Sequence, residues 1–175
     1  AGNVLVVWQD AVSVGDDTSL TSVQARTFAA SGVPLGPQVQ VNDGTIGRQA
    51  NAVAASAPDG TFVIAWTDDP YGEPGGGDGA GAGVRARKVA ADGTLLGSGF
   101  SVNSFTTGEQ SFPSIAFLAE GDFVVAWTSE QDGSVYSIQG RRYDAAGNAI
   151  GAEFLVNTST TGYQYRAQVG RALDG

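Results

Sequence analysis

The side chains best suited to chemistry in this chain are carboxylates. Asp68-Asp69 and Glu130-Gln131-Asp132-Gly133-Ser134 each bring acids together beside turn-forming residues. Clustered oxygen ligands on flexible loops suit a hard cation such as Ca²⁺. Asp68, Asp69, Glu130 and Asp132 are therefore the candidate metal ligands, and calcium is the candidate cofactor. No D-x-D-x-D-G run is present, and acidic Gly-rich loops that are only solvated have the same composition. Two acids facing each other across a cleft can also hydrolyse a glycoside. No acid recurs at one position in all three of the repeats described below, so the expectation is a protein that is not an enzyme.

What the chain lacks narrows the chemistry further. It contains no Cys, His or Met, which excludes disulfides, thiol nucleophiles, zinc-thiolate sites, imidazole ligands and Ser-His-Asp catalysis. The net charge is −9, from 18 acids and nine bases, and Lys88 is the single lysine. Such a chain repels nucleic acid and anionic lipid, and no apolar run approaches a membrane span. The Gly-rich stretch from Asp69 to Gly83 lacks the Lys and helix of a phosphate-binding loop and reads as a hairpin tip. Nine of the 18 acids fall within three loops, 9–22, 67–83 and 128–137.

An internal repeat sets the positions of these loops. Val4-Leu5-Val6-Val7-Trp8 corresponds to Phe62-Val63-Ile64-Ala65-Trp66 and to Phe123-Val124-Val125-Ala126-Trp127. Arg26, Arg87 and Arg141 correspond, as do Asn42, Asn103 and Asn157, and Gln49, Gln110 and Gln164. From Val23, Val84 or Ile138 to the following Asn is always 19 residues, and from Asn to Gln always seven. Only the interval from Trp to the third strand varies, at 15, 18 and 11 residues. A residue present in every repeat serves the repeat, through hydrogen bonds to a neighbouring unit or a turn; one small-ligand pocket per repeat is the alternative. Tyr71, Tyr136, Tyr163 and Tyr165 could stack on a sugar, but none recurs in all three units.

Each unit reads as four short strands joined by turns such as Pro58-Asp59-Gly60 and Glu120-Gly121. In the third unit these are Ser114 to Ala119, Phe123 to Trp127, Ile138 to Tyr143 and Glu153 to Asn157. Small residues in the first strands suit a crowded axis, and Trp8, Trp66 and Trp127 suit the space between blades. The predicted fold is all-β and β-propeller-like: three four-stranded antiparallel blades permuted at a hairpin, with a β-trefoil as the alternative. The repeats are assigned to 1–57, 58–119 and 120–175, with the first strand of the second blade near 51–57 and a final first strand over 167–173. The apolar start after Ala1-Gly2-Asn3 suggests a segment rather than a natural N-terminus. Three blades are too few for a propeller, so closure calls for further repeats of a longer chain or for self-association.

Residues Gly121-Asp122-Phe123-Val124-Val125-Ala126-Trp127, Ile138-Gln139-Gly140-Arg141-Arg142-Tyr143-Asp144-Ala145-Ala146-Gly147-Asn148 and Phe154-Leu155-Val156-Asn157 carry a resemblance. The pattern resembles a tandem repeat of very large calcium-binding, RTX-type or adhesin-like proteins exported by Gram-negative bacteria. The resemblance implies an extracellular or cell-surface setting and a non-catalytic binding or adhesion module whose partner is a glycan or a protein surface. A structural spacer and a carbohydrate-binding propeller lectin are the alternatives.

Overall fold

A computed structural model of the chain describes residues 2–11, 15, 17, 19–72, 75–133 and 135–172. Leu173 to Gly175, and Asp16 and Glu73 among the loop acids, lie outside the described residues. The strands are β1 (Val4–Asp10), β2 (Ser22–Phe28), β3 (Val39–Gln40), β4 (Arg48–Ser56), β5 (Phe62–Asp69), β6 (Gly83–Val89), β7 (Leu95–Ser101), β8 (Gln110–Phe117), β9 (Phe123–Ser129), β10 (Ser137–Tyr143) and β11 (Ala149–Leu155). They form three antiparallel meanders, in the orders β1-β2-β3, β4-β5-β6-β7 and β8-β9-β10-β11. The fold is the expected all-β, propeller-like stack of blades, not a trefoil. Among the described residues no helix is long and apolar enough to cross a membrane.

Two apolar layers hold the blades together. β5 is apolar along its length because both of its faces are covered. Ile64 and Trp66 pack with Val23, Ala25 and Val41 of the first blade. Val63 and Ala65 pack with Phe123, Val125 and Trp127 of the third. Trp66 and Trp127 are fully buried, as expected of core residues between blades. Tyr143 donates its hydroxyl to the Val102 carbonyl of the second blade at 2.6 Å. Its burial pushes the phenol up to about 12.

The recurring polar residues serve the blade frame. In each repeat the Asn Oδ1 accepts the N–H that opens the third strand: Val23 at 2.8 Å, Val84 at 2.7 Å and Ile138 at 2.6 Å. Its Nδ2 reaches the recurring Gln Oε1 at 3.3–3.5 Å. That Gln in turn donates to the carbonyl three residues before it. The recurring Arg donates from Nε to a carbonyl of its own blade, and Arg87 and Arg141 also reach Val41 O and Val102 O of the preceding blade. The polar groups of the recurring Asn and Gln are thus bonded within the repeat, whereas the buried indole N–H groups of Trp66 and Trp127 make no hydrogen bond among the described residues.

Two expectations about strands are corrected. The first strands begin earlier than the apolar pattern suggested, at Arg48 and Gln110. Residues 167–172 form no strand, and the first blade has three strands rather than four. A first strand forms by pairing with the second strand of its own sheet. β1, the second strand that joining the chain end to end would supply, belongs to the first blade, two blades away. Positions 57/58 and 119/120 lie in the turns of the β4–β5 and β8–β9 hairpins.

The outer faces of the stack are open. Val4 and Val6 are 52% and 46% exposed, whereas the corresponding Phe62 and Ile64 are 6% and 0%. At the other end Val156 is 51% exposed, whereas the corresponding Val102 is buried.

Candidate active site

The first strands of successive blades converge, and there they line a cleft of about 640 Å³. The cleft is built from a few positions of the repeat, filled differently each time. The residue just before the recurring Gln is Arg48, Glu109 and Tyr163; two positions further along stand Asn51's neighbour Ala50, then Ser111 and Tyr165; all of these line the cleft. The residue after Trp is Thr67 and Thr128, and Asp69 lies two beyond Thr67.

Local backbone explains why the side chains point inward. β4 and β8 each carry a bulge, between Ala50 and Val53 and between Ser111 and Ser114. Bulges re-aim side chains and cluster beside functional sites. Each bulge holds a non-Gly residue in the left-handed region, Asn51 at φ 54° and Phe112 at φ 53°. Arg166, nine residues after Asn157 as Phe112 is nine after Asn103, has φ 57°. The preceding blade braces two of these backbones: Phe112 N donates to Thr67 Oγ1 at 3.1 Å and Arg166 N to Thr128 Oγ1 at 3.0 Å. Gly47 and Gly108 open the strands at φ 77° and 75°. A side chain there would strike Asp69 O and Glu130 Oε2, respectively, so Gly lets the first strand approach the end of the second.

That approach groups carboxylates. Glu109 N donates to Glu130 Oε2 at 3.2 Å, and Glu130 N donates to Glu109 O at 3.2 Å. Burial, followed by the charges of Asp69 and Glu130, holds the Glu109 carboxyl above the ordinary glutamate range. Asp69 accepts the Tyr71 N–H on Oδ1 at 2.8 Å. The rings of Tyr136 and Tyr163 sit 5.9 Å apart along one wall. The Arg166 guanidinium stacks 4.5 Å from the centre of the Phe112 ring. A raised acid, a second carboxyl and aromatic faces are the parts needed to bind a sugar and protonate a leaving oxygen.

The four predicted metal ligands do not assemble into one set. Asp68 and Asp69 are adjacent on β5 and face opposite sides. Asp68 is buried, accepts from Gln49 Nε2 at 3.0 Å and lies 4.0 Å from Arg85 Nε. Its burial pushes its carboxyl up. Asp69 and Glu130 both approach Glu109, while Asp132 is half-buried in the third loop. Two further loop acids, Asp17 and Asp78, accept from Asn42 Nδ2 at 2.8 Å and Asn103 Nδ2 at 2.7 Å. Much of the acidity of the loops thus serves the frame. Among the described residues no three acids stand together as a metal site.

Glu109, Arg48, Asn51, Phe112 and Arg166 are the cleft residues that the repeat pattern passed over. Their signal was present in inverted form: fixed positions of a rigid frame where the residue type changes in every copy.

No protein-family model matches the chain, and no curated protein aligns with it. Among solved structures, an endo-arabinase from Bacteroides thetaiotaomicron aligns with a TM-score of 0.50 at 16% identity, over 89% of this chain and 58% of that one. Two structures of an α-L-arabinofuranosidase from Fusarium graminearum align with TM-scores of 0.51 and 0.54 at 11% and 12% identity, over 89% of this chain and 45% of theirs. The chain therefore spans about half the length of the structures it matches, and at these identities the likeness is one of fold. The expectation of a non-catalytic adhesion or spacer module that is not an enzyme is corrected by this finding, because the structures sharing the fold are named as glycoside-cleaving enzymes. The physical reason lies in the cleft. Its acids come from different positions in different blades, so a search for an acid recurring in every repeat passes over them. The chain has the all-β, propeller-like fold seen in these carbohydrate-active enzymes.

Proposed function

We propose that the chain forms the substrate-binding half of a carbohydrate-active propeller that hydrolyses glycosidic bonds, furanosides of the arabinan type being the first class to test. The observation that carries this is Glu109: a carboxyl raised by burial and by neighbouring acids, in a cleft that also holds Asp69 and three tyrosines. Glu109 is the general acid, and its proton goes to the glycosidic oxygen as the bond to the sugar breaks. Asp69 is the second carboxyl, which in such pairs either attacks the sugar carbon or takes a proton from the attacking water. Tyr136, Tyr163 and Tyr165 provide faces on which sugar rings rest. The partner is thus a glycan, and the setting is the extracellular one implied by the repeat resemblance.

The two open apolar faces support further blades completing the ring, since the corresponding faces inside the stack are buried. Release of reducing sugar from a panel of arabinans and other polysaccharides tests the proposal. Glu109→Gln and Asp69→Asn are each expected to lower the rate by at least about 100-fold, the usual contribution of a general acid or base, with the thermal melt unchanged. Release at the same rate by both variants would refute the assignment.

A further inference from the structure

Basic residues are few in this protein, and most are committed to its frame. Arg26, Arg85, Arg87 and Arg141 donate to backbone carbonyls, Arg142 pairs with Asp122, and Lys88 donates to Ala145 O. Three remain, Arg48, Arg166 and Arg171, and the first two stand apart. Both line the cleft, and among the described residues neither guanidinium makes a hydrogen bond or an ion pair, although Asp69 and Glu109 line the same cleft. Arg166 is also positioned at a cost. Its backbone is held in the left-handed region, which is unfavourable for a non-Gly residue, and the Phe112 ring fixes its guanidinium from one side. Strain kept in a cleft around an unspent donor fork is a feature of a binding site.

A planar guanidinium with its N–H groups free matches a carboxylate through two parallel hydrogen bonds. Elsewhere the net charge of −9 repels an anion. We propose that the cleft reads an acidic saccharide, with the carboxylate of a uronate residue held by Arg166 and supported by Arg48. This rests on the carbohydrate reading above and names the substrate class within it. Phe112 is the positioning residue for Arg166.

Calorimetric titration of the full chain with a uronate-containing arabino-oligosaccharide, its carboxyl-reduced neutral counterpart and a sulfated neutral counterpart tests this. The uronate form is expected to bind at least about 10-fold more tightly than the reduced form, the value of one charge-assisted hydrogen bond. Arg166→Gln should erase that preference while leaving affinity for the neutral form within about two-fold. Arg166→Lys should also lose most of it, because the fork is gone while the charge remains, and Arg48→Gln should reduce it without a change in melting temperature. Equal affinity for uronate and reduced forms, or equal weakening of both by Arg166→Gln, would overturn the proposal, as would a sulfated form binding as tightly as the uronate. Should the neutral form bind and be cleaved in a Glu109-dependent way without uronate preference, this inference fails while the carbohydrate reading stands. Should no saccharide bind, the carbohydrate reading itself fails and this inference with it.

Discussion

Asn103 shows how much one side chain does in this frame. It accepts from Val84 N and donates to Asp78 Oδ2, Phe105 O and Gln110 Oε1. Truncation leaves several buried groups without partners, each costing about 1–3 kcal/mol. Asn103→Ala is expected to lower stability by about 3 kcal/mol in urea unfolding, with the slope of the transition unchanged. The structural importance of the recurring Asn, Gln and Arg was legible in the sequence, because identical residues at identical spacing imply identical tasks. The pairing of Glu109 with Asp69 and Glu130 was not. Asp69 ends β5 of the second blade, whereas Glu109 and Glu130 flank β8 and β9 of the third, where Gly108 admits the close approach of the two strands. Asp68 misled for the opposite reason: its neighbourhood in sequence matched a metal ligand, but β-strand alternation sends it to the side away from Asp69, onto Gln49 and Arg85.

At the scale of elements, the inner strands are where frame and function compete. Turn chemistry and apolar alternation announce the hairpins, and β5, β9 and β10 lie where the sequence places them. The bulges are not announced. Asn51, Phe112 and Arg166 have no residue type in common, and nothing in a Phe or an Arg signals positive φ. Their common feature is position, nine residues after the recurring Asn, where the chain must turn a side chain into the cleft. Strain of this kind is relieved by Gly. Asn51→Gly is expected to leave stability unchanged or raise it by about 1 kcal/mol, while weakening saccharide binding several-fold in the same preparation. A protein destabilised by Asn51→Gly would show that the left-handed backbone is not a source of strain.

For the whole molecule, the repeat made the propeller-like stack legible, because three copies of one pattern can bury their apolar faces only against one another. The stack also assigns different energetics to equivalent residues. Ile64 lies between blades and Val6, its counterpart, faces outward. Ile64→Ala is expected to cost about 3 kcal/mol and Val6→Ala less than about 0.5 kcal/mol in thermal or denaturant unfolding of the chain. Similar losses at the two positions would mean that the outer face is covered in solution. The cleft, by contrast, belongs to the differences among copies rather than to their likeness, which is why a repeat search finds the scaffold and passes over the site.

The pH dependence of kcat/KM for glycoside hydrolysis tests the role of Glu109 most directly. Its carboxyl is raised by burial and by Asp69 and Glu130, and the protonated form is the one that donates. The rate is therefore predicted to be sustained above the ordinary glutamate range and to fall as pH rises through the raised value, and Glu109→Gln should remove both that limb and most of the rate. A rate that rises through the same range, or a profile that Glu109→Gln leaves in place, would contradict the account.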